Sequence, residues 1–395
     1  MRIMQISGAL AGAQKTIEEA IHRYLVNAGH ESRILYACGQ PSLDTEICYE
    51  NKLENILCRA GRKYICKTSR FAALQTKRLI RQIKQYQPDL IHLHVIHHGY
   101  TDHEMLLKFL AKAKIPVVYT MHDMWAVTGG CYHYTTNGCS GPQTGCQNCP
   151  ANRKLLDMAQ KSTATELETK KNLLGRIEKL YVVTVSDWVG EQMKNSFLAD
   201  RPIQVILNGM DLPDVADLAV KKESPAHRPI RLMGVAASWS NRKGVDKLFR
   251  LAQLLDDDYQ IQLVGGVTQE LKDSAPANVV FTGYCADKAQ LMEQYAQADL
   301  HISASLEETF GMTFVEAALV GTRSVGFAST AITQTLKNVY GVAVEEYTAE
   351  AMCQAIQDTV ATKTTLDAEE IARIREKLSA EKMAETYFAV YEKMA

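Results

Sequence analysis

Two glutamates, Glu308 and Glu316, stand eight positions apart in SASLEETFGMTFVEAALVG, residues 303–321. On one continuous helix, eight steps would set their carboxylates about 80° apart around the axis, with no target in common. The local pattern divides the stretch instead. DLHISAS reads as a strand, SLEETFG as a loop, and MTFVEAALVG as a helix that begins near Gly311 or Met312 and ends at Gly321. Glu308 then lies on a loop and Glu316 one turn into a helix, so the two can reach different parts of one extended ligand. The helix amides at Gly311 and Met312 would face a negative group. Phe314, Val315, Ala317, Ala318 and Leu319 surround Glu316 with apolar chain, and a carboxylate tolerates such burial only with partners.

A second group of residues suits a phosphate. VAASWSNRKGVDK carries Arg242 and Lys243 just before a helix that begins near Gly244, where two cations and unpaired amides could neutralise a diphosphate. Gly265 and Gly266, closing YQIQLVGG, and Gly283, after VVFT, occupy equivalent positions behind later strands, where exposed backbone could line a nucleotide; plain turns would look the same. Near the start, GALAGAQKT places Gly8, Gly12, Ala13 and Lys15 ahead of a helix expected from Thr16, a second loop that a phosphate or acceptor could approach. It is not the dinucleotide fingerprint, because Leu10 stands where the second glycine belongs, which disfavours a nicotinamide or flavin enzyme.

The elements that must position these residues alternate along the chain. RIMQIS, SRILYA, DLIHLHV, PVVYTMH, LYVVTVS and IQVILN read as strands separated by amphipathic segments such as Thr16 to Ala28 and Asp102 to Ala113. The pattern pauses in MDLPDVADLAVKKESPAHRP, then resumes with RLMGVA, YQIQLVG, VVFTG, DLHISAS, RSVGF and GVAV. This predicts an α/β chain of two doubly wound Rossmann-like domains: residues 1–210, a linker over 211–228, and residues 229–375. A helical stretch from Asp367 onward, with 376–395 crossing back, is expected to brace the first domain. In such sheets ligands bind at the carboxyl ends of strands, so the motifs should gather in a cleft where the two domains face each other.

The 395 residues are 46% hydrophobic and 23% charged, with net charge −1. With no apolar run long enough for a signal peptide or a membrane span, the expectation is a globular protein of the cytoplasm. From residue 52 to 84 ten basic residues are opposed only by Glu54. Leu57, Ile65, Phe71, Leu74, Leu79 and Ile83 are interleaved with them, which fits either amphipathic helices lying on an anionic membrane surface or a solvated helical face packed on a sheet. Nucleic acid is disfavoured because no recognition module accompanies the charge. Between about 123 and 152, Cys131, Cys139, Cys146 and Cys149 form C-x7-C-x6-C-x2-C in a Gly- and Thr-rich insert, with His133 to spare. Such a loop lacks apolar residues to order it; a structural zinc would supply that order, and reduced packed thiols or a disulfide are the alternatives.

The combination S-x-x-E-x-F-G-x-x-x-x-E-A around Glu308 and Glu316, with Gly321-Thr322, Lys243-Gly244, Asn208 to Asp211 and Met121-His122-Asp123, resembles the signature of family 4 retaining glycosyltransferases of the GT-B fold. HDMWAVTGGCYHY, TGCQNCP, VSDW and SWSNRKG are similar to a subgroup that builds bacterial capsular, exopolysaccharide and lipopolysaccharide chains. The resemblance implies that Glu316 binds the donor ribose, that Glu308 and His122 sit by the transferred sugar, and that Lys243, with Arg242, holds the diphosphate and stabilises the departing nucleotide. It implies a hexose donor activated by a nucleoside diphosphate, UDP favoured over GDP, a lipid-linked glycan acceptor, no cofactor needed for catalysis, and residence at the inner face of the cytoplasmic membrane. It implies no covalent nucleophile, unlike a retaining hydrolase with its carboxyl pair about 5 Å apart. The sequence departs from the pattern at Ala237, where the family often has arginine, at Gln334, where an acidic residue is frequent, and at Ala11, where a second glycine is usual. A sugar-nucleotide epimerase of the same fold and a catalytically silent binding or scaffold subunit are the alternatives.

Overall fold

The computed structural model describes all residues except 11, 50–71, 98, 99, 141, 148, 151–156 and 212–228. The chain divides into two compact units, Met1–Met210 with Ala380–Ala395, and Asp211–Ser379. The expected linker falls almost wholly outside the described residues.

The first unit is built on strands β1 (Arg2–Leu10), β2 (Glu31–Gly39), β3 (Glu46–Cys48), β4 (Leu90–Leu93), β5 (Val117–Met121), β6 (Leu180–Thr184) and β7 (Ile203–Val205). Among the described residues they form one parallel sheet in the order β3-β2-β1-β4-β5-β6-β7. Helices α1 (Gly12–Asn27), α2 (Ala73–Tyr86), α3 (His103–Ala113), α4 (Asp157–Gly175) and α5 (Asp187–Lys194) make the connections. The order reverses at β1 and β4, so the carboxyl ends of those two strands are the place where this topology leaves room for a ligand.

The second unit repeats the plan. Strands β8 (Ile230–Ser238), β9 (Tyr259–Gly266), β10 (Val279–Gly283), β11 (Leu300–Ser303), β12 (Ser324–Phe327) and β13 (Val342–Val344) lie in the parallel order β10-β9-β8-β11-β12-β13, with the switch point at β8 and β11. Its helices are α6 (Val245–Leu254), α7 (Gln269–Asp273), α8 (Lys288–Gln297), α9 (Met312–Leu319), α10 (Ile332–Asn338), α11 (Ala349–Thr362) and α12 (Ala368–Lys377). Buried aliphatic side chains such as Leu248, Ile261, Ile302 and Ile356 fill the space between helices and sheet.

Two expectations change on contact with the structure. The first helix begins at Gly12 rather than Thr16, because β1 runs on to Leu10 and the glycines sit inside the strand and at the helix start rather than in a free loop. The stretch after Asp367 is two helices: α12 ends at Lys377, and α13 (Ala380–Met394) belongs to the first unit, where Met383, Tyr387, Val390 and Tyr391 pack with Ile17, Ile21 and Leu25 of α1. In the basic region, residues 52–71 lie outside the described residues. On α2 the apolar face (Leu79, Ile83, Tyr86) is buried in the unit, while Lys77, Arg81 and Lys84 are exposed. The described portion is thus a helix packed on the unit by one face, with Leu74 exposed at 58% beside the basic residues of the other. Among the described residues no helix is long and apolar enough to cross a membrane.

Candidate functional site

In the second unit the site is assembled at the carboxyl ends of β8 and β11. The chain leaves β8 through Ser240 into one 3-10 turn, Asn241–Lys243, and enters α6 at Gly244. Gly244 has φ +69°, and a Cβ there would lie 2.0 Å from the carbonyl oxygen of Ala304. Only glycine allows the two loops to approach this closely. The approach is stitched by backbone: Leu306 N–H donates to Arg242 O at 3.0 Å, and the Arg242 guanidinium donates to Glu307 O at 3.3 Å.

The result is that Lys243 Nζ donates to the carboxylate of Glu308, which also accepts from Ser305 Oγ at 2.6 Å. Glu308 is held from behind as well, its N–H donating to Thr330 Oγ1 and its carbonyl accepting from the same hydroxyl, both at 3.0 Å. Burial would raise the Glu308 carboxyl, but the charge and hydrogen bond of Lys243, the Ser305 hydroxyl and the Arg242 charge outweigh it and hold it below the usual carboxylate range. A fixed anion and a fixed cation are therefore presented side by side.

Glu316 stands one turn into α9, whose start is set by Gly311 at φ +94°. Its partners are Lys288 Nζ at 2.5 Å and the buried hydroxyl of Tyr295 at 3.0 Å. Burial, with Glu316 beside it, pushes the Tyr295 phenol well above its ordinary range, so it stays a donor. Gly265 and Gly283 lie at the carboxyl ends of β9 and β10, with φ +133° and +79°. Ala237 is exposed near the end of β8, and Gln334 lies on α10.

In the first unit His122 follows β5 and is joined to His94, which follows β4: His94 Nδ1 and His122 Nε2 are 3.0 Å apart. Burial and the neighbouring His97 lower the His122 imidazole to about 4 against the raising influence of Asp123, so it is neutral at physiological pH. A small cavity of about 10 Å³, the size of a single water, lies beside these rings, lined by His94, His97, His122 and Asp123 among others. Gly12 opens α1 and Ala13 follows it; Lys15 is drawn toward the end of β2, donating to Gln40 O at 2.6 Å and pairing with Glu19 at 3.5 Å.

Cys131, Cys139, Cys146 and Cys149 converge on one cavity with Tyr134 and Thr163, and Gly129 N–H donates to Cys146 Sγ at 3.1 Å. All four are free thiols, which removes the disulfide alternative. Among the described residues no three His, Cys, Asp or Glu side chains stand already gathered in a metal-binding arrangement. Buried Lys170 lies over the Trp125 ring at 3.9 Å and donates to Trp125 O at 2.6 Å, tying α4 to the start of this insert.

Lys288, Tyr295, Ser305, His94 and Gln5 were not singled out from sequence. A signal for one of them was present: His92 and His94 alternate in DLIHLHV, which puts two imidazoles on the same face at a strand end.

A model of the family described as Glycosyltransferase Family 4 matches residues 12–213, and one described as Glycosyl transferases group 1 matches residues 230–362. The chain is 26% identical over 322 residues, 78% of this chain and 77% of the relative, to WcaC of Escherichia coli (strain K12), a protein named for glycosyl transfer in colanic acid biosynthesis. Among solved structures it resembles sucrose-phosphate synthase from Thermosynechococcus elongatus (TM-score 0.72, 18% identity, covering 100% of this chain and 98% of that one). It also resembles Anabaena Alr3699/HepE in complex with UDP and glucose (TM-score 0.65, 18% identity, 100% of both chains). Both likenesses show a shared fold, two parallel-sheet α/β units of the GT-B type.

Proposed function

Because this chain belongs to glycosyltransferase family 4, we propose that it moves a hexose, with retention, from a UDP-activated donor to a lipid-linked glycan during assembly of a cell-surface polysaccharide. The observation that carries this reading is the Lys243–Glu308 pair at the β8/β11 switch point, with Glu316 one turn into the next helix. Lys243 and Arg242 take the donor diphosphate. Glu308 meets the sugar ring, and Glu316 accepts from the ribose hydroxyls while Lys288 and Tyr295 hold it in place. The complex of Anabaena HepE with UDP and glucose supports a UDP donor by analogy of fold, and the WcaC name supports a polysaccharide product.

Chemically, the bond between the anomeric carbon and the β-phosphate oxygen breaks, its electron pair leaving with the diphosphate. The acceptor hydroxyl bonds the same carbon from the same face, and its proton passes to the departing phosphate. The task for the protein is electrostatic: Lys243 and Arg242 stabilise charge that grows on the leaving group, while Glu308 and the neutral His122 meet the sugar. Membrane association at the inner face would come from the acceptor and the basic stretch around 52–84. For the insert, four thiols around one cavity support a structural zinc on Cys131, Cys139, Cys146 and Cys149, which would draw the sulfurs closer together than they stand.

The test is transfer of labelled hexose from a panel of UDP- and GDP-sugars into lipid-soluble glycan, using membranes from a capsule-forming bacterium as the acceptor source. Labelled glycolipid whose new linkage keeps the donor's anomeric configuration is expected. Free sugar or epimerised donor without glycolipid, or no turnover of any donor, would contradict the reading.

A further inference from the structure

Beneath His122 lies a hydrogen-bond chain whose directions are fixed from one end. Gln5, on β1 and fully buried, places its amide against the backbone carbonyl of Glu18 at 3.0 Å. A carbonyl can only accept, so the Gln5 atom there is the nitrogen, and Oε1 is the atom turned to His94 Nε2 at 3.1 Å. His94 Nε2 must therefore carry a proton. Burial, with His92 and His122 nearby, keeps the His94 ring well below its usual range and so neutral, which leaves Nδ1 as an acceptor. The partner of that Nδ1 is His122 Nε2, at 3.0 Å, and it has to donate.

We infer that Gln5 and His94 are a positioning pair that locks His122 in its Nε2–H tautomer, so that His122 meets the transferred sugar with an unprotonated Nδ1 that accepts from a sugar hydroxyl. The inference rests on the proposed reading that His122 faces the sugar. It gives His122 a definite role, that of a neutral acceptor rather than an acid or a cation, in keeping with a reaction that needs no protein proton donor.

The pair is itself held in place. The His92 ring lies against His94 with centroids 3.9 Å apart. His92 is pinned by Thr120 Oγ1 at 2.7 Å and by the Tyr391 hydroxyl at 2.6 Å. Tyr391 and Tyr387, which bonds Thr120 at 3.1 Å, both come from α13, so the returning C-terminal helix forms the floor of the chain. Among the described residues, the titratable groups that face His122 are His92 of β4, His94 and His97 just beyond it, and Asp123 on its own loop.

The decisive experiment is long-range nitrogen–proton correlation NMR of the full chain labelled with 15N-histidine at pH 7, assigned with His94→Ala and His122→Ala. Both rings should show the Nε2–H tautomer; a proton on His122 Nδ1, or on both nitrogens, overturns the inference. Gln5→Leu should release the lock, splitting the His122 signal between tautomers and lowering kcat about tenfold, the worth of one hydrogen bond, with KM for the UDP-sugar unchanged. Unchanged spectra and kcat in that variant would equally overturn it. If Gln5→Leu does not fold, the wild-type spectrum alone decides. The expected tautomers together with a fully active His122→Ala would overturn the inferred contact with the sugar while leaving glycosyl transfer itself standing.

Discussion

Replacing Lys243 with methionine separates its pairing with Glu308 from the diphosphate contact proposed for it. The change removes the largest influence that lowers the Glu308 carboxyl, leaving burial, which raises it, opposed only by Ser305 and Arg242. In the wild type the Glu308 carboxyl lies below its unfolded value. The pair therefore contributes stability that is present above that unfolded value, about 4.3, and is lost as pH falls through the folded one. In Lys243→Met the sign reverses: the folded carboxyl rises above the unfolded value, and the variant recovers stability relative to wild type as the medium is acidified. Both side chains are about one-fifth exposed, at 21% and 19%, so solvent screening holds the loss at neutral pH to about 1–2 kcal/mol. The second effect is on binding. A charge-assisted contact to a diphosphate is worth about 1.5–3 kcal/mol, so the Kd for UDP should weaken by roughly 10- to 150-fold. Thermal unfolding of both proteins from pH 4 to pH 8, with and without UDP, reads both effects. A stability gap that does not narrow on acidification would refute the electrostatic argument, and an unchanged UDP affinity would refute the diphosphate assignment.

Glu316→Gln keeps an acceptor for the Tyr295 hydroxyl but gives up the carboxylate. It should raise KM for the donor about tenfold with little change in fold stability; donor kinetics unaffected by the change would remove Glu316 from the nucleotide site. Gly244→Ala places a methyl 2.0 Å from the Ala304 carbonyl at a positive φ and should cost more than about 2 kcal/mol in chemical denaturation, whereas a neutral result would mean that the two loops are not so tightly apposed. Elemental analysis of protein purified without chelator should find about one zinc per chain, lost on Cys146→Ser; less than a tenth of an equivalent would leave the cysteines as packed thiols.

The two sheets were legible because parallel, doubly covered strands are continuous apolar runs, and VVYTM and VVFTG mark their elements almost to the residue. The loop-then-helix placement of Glu308 and Glu316 was legible for a related reason, since Gly311 stops one pattern and starts another. What the sequence withheld were contacts created by strand order. Gln5 and His94 are 89 residues apart and meet because β1 and β4 are neighbours, and Lys243 and Glu308, 65 apart, meet because β8 and β11 are. The split of the last helical stretch was hidden because α12 and α13 are both amphipathic, and only the tertiary structure assigns them to different units.

The central claim, that the second unit holds a nucleoside diphosphate on Lys243, is tested most directly by calorimetric titration of UDP and GDP into the wild-type chain and Lys243→Ala. Saturable UDP binding to the wild type, at least tenfold weaker in the variant, is the predicted result. Failure of both nucleotides to bind the wild type, or equal affinity in the two proteins, would contradict it.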